Sequence, residues 1–290
     1  MKLDDLANRA TLGTPGRVGP AFGRFMRAVG TPIVRFTHRA TLDGVENLPK
    51  TGAFLLVANH SAGVALAEIA SFAALYYAQV GDSRPIAGFA HPAMFHIWPG
   101  SALLRGVGAV PSSYASAERT LAAGIPLLIF PGGDHEAFRP VWHANTVDFG
   151  GRLGFLKIAR KAGVPIVPMG IRGSHFTAPI LWNSRTILPN LLILPRLLGV
   201  KRYPLSLLGA LVTAAILTWL PASVPWRIFA AWCFLASVIP PMWPWIPWTI
   251  RLRIGAPIAP DELFSADASD DDLRTSLARV EREVAKLVAR

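Results

Sequence analysis

With 290 residues and 52% hydrophobic side chains, the chain has enough apolar material to build one large core, which excludes a disordered protein. Charged residues are only 16%, so membrane association enters early, and 29 Lys and Arg against 18 Asp and Glu give a net charge of +11 that suits phospholipid head groups or a phosphorylated substrate. No zinc-finger spacing, RNP aromatic motif or dense basic run points to nucleic acid, and a single cysteine, Cys233, excludes a disulfide framework and a Cys-based metal site.

Residues 1–20, rich in Gly, Pro and Arg, predict an irregular arm, and Asp4 and Asp5 without an apolar stretch predict no cleaved secretory signal. Residues 21–39 mix Phe22, Phe25, Met26, Val29 and Phe36 with Arg24, Arg27, Arg35 and Arg39, interrupted at Gly30 and Pro32. That basic amphipathic pattern fits either an interfacial helix or a helix covering the sheet. Residues 1–39 thus form an N-terminal segment ahead of a catalytic region at 40–178. There, Ala40–Val45 predicts a strand, and Phe54–Ala58 predicts a second, buried on both faces, leading into Asn59, His60 and a small-residue turn. A helix follows over 65–78. His60 stands at the carboxyl edge of a strand, where open α/β sheets bind ligands, and is the candidate catalytic residue.

Further strands are expected at 84–90 and 125–130, with helices at 114–123 and 153–162, and a loop and helix at 91–104 carrying His96 and Trp98. The glycines of 105–111 would let a backbone approach a phosphate or acyl group, although the string lacks dinucleotide spacing. The strand at 125–130 delivers a second polar corner: Pro131, Gly132, Gly133, Asp134, His135 and Glu136. His60, His135, Asp134 and Glu136 are possible ligand types without a spacing that demands a metal, so none is expected. Pro165 and Pro168 predict that the strand in 164–171 is short or at an edge. Alternation of strands and helices predicts an α/β fold, a mixed sheet flanked by helices.

From Tyr203 to Ile250 the only charged residue is Arg227, and six tryptophans lie in the same run. Prolines 240, 241, 244 and 247 argue against straight spans, so 203–250 predicts an inserted apolar helical hairpin that enters a membrane, with basic residues 196, 201, 202, 251 and 253 holding both ends on the cytoplasmic side. Residues 250–290 supply a last strand and a C-terminal amphipathic helix.

Asn59 and His60, the glycine segment 106–111, Phe130–Gly133 and Val164–Pro168 occur in an order and spacing that resembles the lysophospholipid and glycerolipid acyltransferase superfamily, of which 1-acylglycerol-3-phosphate acyltransferases are members. Two departures stand out. The family commonly has an Asp five residues after the His, where this chain has Ala65, and the first acid downstream is Glu68. The FPGG string carries Gly132 where glycerol-phosphate enzymes have Glu, which is similar to mono- and diacylglycerol acyltransferases.

The resemblance implies an O-acyltransferase without a cofactor, using acyl-CoA or acyl carrier protein as co-substrate and a glycerolipid or lysophospholipid as acceptor. His60 would be general base and Glu68 its orienting carboxylate. Asn59, the Gly132 and Gly133 amides, Glu136 and Arg139 are the candidate substrate-binding groups, Arg139 as a charged clamp. The expected location is a membrane, with the active site facing the cytoplasm. A non-catalytic lipid-binding membrane protein of the same fold is the alternative, kept open by Ala65.

Overall fold

The structure, a computed structural model, describes residues 16–61, 66–92, 95, 100–197, 202–237, 239–264 and 270–290. His96, Trp98, Ala65 and the first fifteen residues lie outside them. Seven strands form the main sheet: β1 (Thr41–Asp43), β2 (Leu55–Ala58), β3 (Ala87–Ala90), β4 (Ala109–Pro111), β5 (Leu127–Ile129), β6 (Ile166–Arg172) and, last in the chain, β9 (Arg251–Ile254). Their spatial order is β1-β9-β6-β2-β5-β3-β4, with only the β6–β9 pair antiparallel. β7 (Ile180–Ser184) and β8 (Tyr203–Ser206) form a separate antiparallel pair. The fold class is therefore α/β with a mixed sheet, as the alternation predicts.

β2 is central and buried on both faces because all four of its residues are apolar. One face of the sheet packs against α1 (Leu66–Val80) and the helical run 20–38. The other packs against the helix Tyr114–Ala122, α3 (Gly154–Ala162) and α6 (Asp270–Ala289), whose Leu273, Leu277, Val280, Val284 and Val288 repeat at helical spacing. Gly30 and Pro32 do not break the 20–38 run. A π-helical turn over Met26–Gly30 carries the chain between two α-helical pieces. Met26 and Val34 are buried, while Phe25, Ile33 and Phe36 are exposed, so this helix both covers the sheet and presents an apolar face.

β6 corrects the edge assignment drawn from its prolines, because it lies between β2 and β9 and is the longest strand. The Ile166 amide donates to Ile258, and by the two-residue period the Pro168 nitrogen faces the same neighbour. Residues 255–257 leave the ladder there, with the Gly255 amide donating to the Pro168 carbonyl, so the missing N–H costs no hydrogen bond. The glycine segment 105–111 is also recast. A Cβ on Gly108 would come within 2.5 Å of Val18, and the Gly19 amide donates to Gly106, so these glycines admit the chain's own N-terminal arm.

The apolar run forms α4 (Leu207–Trp219) and α5 (Arg227–Ala236), packed on each other. Arg227 donates to the carbonyls of Leu217 and Leu220, satisfying the end of α4, which accounts for the one charge in the run. Among the described residues no helix is long and apolar enough to cross a membrane.

Candidate active site

The carboxyl ends of β2, β5 and β6 meet at one edge of the sheet, where the strand order reverses around β2. Asn59 ends β2. Its side chain is fully buried and makes a reciprocal pair with Ile171, Nδ2 donating to the carbonyl at 2.9 Å and Oδ1 accepting from the amide at 2.7 Å. This extends the β2–β6 ladder by one rung with a side chain. Asn59 thus holds the strand end from which His60 projects. Asn59→Ala would orphan two buried backbone groups, and should lower unfolding free energy in urea by about 2–4 kcal/mol.

His60 is partly exposed, and its ring stacks on Phe130 with centroids 4.4 Å apart. Its Nδ1 lies 2.5 Å from Glu68 Oε1. Glu68 sits in the first turn of α1, and helical side chains lean toward the helix N-terminus, which carries its carboxylate back to the imidazole despite the eight-residue separation. The carboxylate is fully buried and also accepts from the Ser61 amide at 3.2 Å, Ser61 Oγ at 2.7 Å and Ser174 Oγ at 2.8 Å. Ser61 and Ser174 hydroxyls touch each other as well. An acceptor-only carboxylate facing Nδ1 places the ring proton there, so Nε2 presents its lone pair. Ser61 Oγ is committed to Glu68 rather than to Nε2.

The turn after β5 is closed from within. The Gly133 amide donates to Phe130, and is therefore spent on the turn rather than offered to an oxyanion. Gly132 has no room for a side chain, since a Cβ would lie 2.3 Å from the Glu136 carboxylate. Glu136 is fully buried, accepting from the His60 amide and the Asp148 amide, each at 3.0 Å. It fixes the backbone of the corner that carries His60.

Burial pushes the Glu136 carboxyl up to about 8, against the pull of those two amides and Arg139. A folded-state value above the ordinary one means that this group stabilises the fold fully below pH 4.5 and loses that contribution as pH rises toward 8. Glu136→Gln should flatten that part of the decline, read from urea midpoints across the same range.

Arg139 also turns inward. It is 8% exposed, donating from Nη1 to the Thr146 carbonyl and hydroxyl and from Nη2 to the Asp148 carbonyl at 3.3 Å, with Glu136 at 3.8 Å. Its fork pins the 143–148 loop. Arg152 instead lies against the turn, donating to Pro131 and pairing with Asp134, while His135 pairs with Asp148. Two of the four types suggested for a metal are thereby engaged elsewhere.

Ser174 and His175, in the turn after β6, are site residues that the sequence reading missed. The signal was a third strand ending in a polar, glycine-led turn, Gly173–Ser174–His175. His175 is buried with no hydrogen bond on either ring nitrogen. Burial, and then the charge of Arg139, pull its pKa down to about 3, so the imidazole is neutral at physiological pH.

A carboxylate-held imidazole thus stands at the open edge of an α/β sheet, its Nδ1 taken by Glu68. Residues 39–172 match the family model described as Acyltransferase. An uncharacterized protein of Mycobacterium leprae is 30% identical over 208 residues, 70% of this chain and 54% of that protein. One from Mycobacterium tuberculosis is 29% identical over the same length, covering 55% of it. The chain thus spans about half the length of the curated relatives it matches. The crystal structure of the 1-acyl-sn-glycerophosphate (LPA) acyltransferase PlsC from Thermotoga maritima has the same fold, with a TM-score of 0.52 and 20% identity over 92% of this chain and 81% of that one.

Proposed function

We propose that the protein moves a fatty acyl group from an acyl thioester, acyl-CoA or acyl carrier protein, to a hydroxyl of a glycerolipid or lysophospholipid. The observation that carries this reading is the 2.5 Å contact between His60 Nδ1 and the buried Glu68, which leaves Nε2 as the base. Nε2 takes the acceptor's hydroxyl proton as that oxygen attacks the thioester carbonyl. The C–O bond forms, the C–S bond breaks, and the imidazolium returns the proton to the departing thiolate. Glu68 stabilises the imidazolium. Because Glu68 supplies a carboxylate where Ala65 cannot, the site favours catalysis over a lipid-binding role alone.

The acceptor would be met at a membrane surface, with the site on the cytoplasmic side. Phe36, Trp219, Ile228 and Phe229 are all more than 60% exposed. Such a concentration of bare apolar side chains, with arginines along 24–39, suits anionic lipid. Co-sedimentation with anionic phosphatidylglycerol vesicles should fall about 100-fold or more in a Trp219→Ser, Phe229→Ser double variant, by the loss of two aromatic side chains that would bury in the bilayer. Undiminished binding would move the contact to the N-terminal helix.

The activity is tested by incubating detergent-solubilised protein with labelled acyl-CoA or acyl carrier protein and a panel of lysophosphatidate, other lysophospholipids, mono- and diacylglycerol. Labelled acylated acceptor is the expected product. No product with either donor would overturn the reading.

A further inference from the structure

A cleft of about 430 Å³ opens beside the catalytic corner, between the 135–148 loop and the β7–β8 pair. Its wall includes Arg139, His143, Asn183 and Arg202. Arg202 comes from the segment entering β8, outside the region that matches the family. Only 13% of its side chain is exposed. Nη1 donates to Asn183 Oδ1 at 2.8 Å, and Asn183 Nδ2 in turn donates to the Phe138 carbonyl at 2.8 Å, so a relay from the loop sets the plane of the guanidinium.

The Arg202 Nε–H is buried without a hydrogen bond, its nearest carboxylate, Asp134, lying 3.9 Å away. Three carboxyl groups stand near the cleft, and each is engaged: Asp134 by Arg152, Asp148 by His135, and Glu136 by Arg139 and two backbone amides. Arg139, Arg152, Arg185 and Arg202 outnumber them. Burial and the like charges of Arg185 and Arg152 outweigh the pull of Asp134 and make the protonated guanidinium of Arg202 harder to hold, a cost that an entering anion would relieve. An oriented, partly desolvated planar fork with an unused donor fits the oxygens of a phosphate.

We propose that this cleft holds a phosphate ester of a substrate, with Arg202 as its principal ligand and Asn183 as the residue that orients it. The assignment rests on the acyl-transfer reading and deepens it, since either the nucleotide of a CoA donor or the head group of a phosphorylated acceptor brings that group. The separate β7–β8 pair would then contribute to substrate choice.

The test titrates the full chain in detergent with inorganic phosphate by calorimetry. It then displaces the phosphate with glycerol 3-phosphate in one arm and adenosine 3′,5′-bisphosphate in the other. Arg202→Gln should weaken phosphate binding about tenfold or more, by loss of a charged hydrogen bond, and Arg274→Gln, on the exposed side of α6, should leave it unchanged. Displacement in one arm names the source of the phosphate. No saturable binding, displacement by neither compound, or an unaltered affinity in folded Arg202→Gln overturns the site. Should that variant fail to fold, Asn183→Ala, which frees the fork, must still weaken binding several-fold. Acyl transfer to the panel with no phosphate binding would remove this cleft and leave the function standing, and Arg202-dependent binding without transfer would do the reverse.

Discussion

Replacing His60 by alanine should lower kcat by about 10³-fold or more, with thermal stability and vesicle binding close to wild type. The size follows from the arrangement. His60 is the titratable group with a lone pair open to substrate at the edge where three strands end, and its own backbone is held independently by Asn59 before it and by the Glu136 carboxylate on its amide. Removing the ring should therefore cost chemistry and not the corner. A kcat within tenfold of wild type would show that another group takes the proton.

The second large effect belongs to Glu68. In Glu68→Gln the amide keeps the volume but sets either an NH2 group or a weaker acceptor against Nδ1, and loses the charge that stabilises the imidazolium. A fall in kcat of about 10²-fold or more is expected, with KM little changed, because the carboxylate touches the ring and not the substrate. The same substitution also removes the anion shared by Ser61 and Ser174, so urea unfolding should register a loss of stability. Unchanged turnover would leave Glu68 a structural acid and return the orienting role to an unidentified group.

What the sequence makes legible is governed by pattern. The apolar run 54–58 followed by Asn59 and His60 announces a buried strand and its polar end, because burial on both faces requires uninterrupted apolar residues. The helix that follows announces itself in the same way. What it cannot announce is the direction in which a polar side chain points. Asn59 and Glu136 are polar residue types at the strand ends, yet they spend hydrogen bonds on backbone groups distant in sequence, those of Ile171 and His60. Those partners exist only once β2, β5 and β6 are in register.

The same holds for proline in β6. Its residue identity argues for an edge, but the decisive fact is that the neighbouring strand leaves the ladder opposite Pro168. Glycine poses the mirror problem. The segment 105–111 reads as permission for close approach, and the approaching atom is Val18 of the same chain. Short strands such as β7 and β8 carry no periodicity long enough to detect, so Asn183 and Arg202 stay hidden until folding brings them to the loop.

The central claim is direct transfer onto an acceptor oxygen that His60 activates, with no acyl group ever carried by the protein. Rapid-mixing of excess enzyme with long-chain acyl-CoA, following free thiol release first without and then with acceptor, tests it most directly. The account predicts no burst in the absence of acceptor and prompt, His60-dependent release once acceptor is present. A stoichiometric burst of thiol without acceptor, with the acyl chain left on the protein, would contradict it.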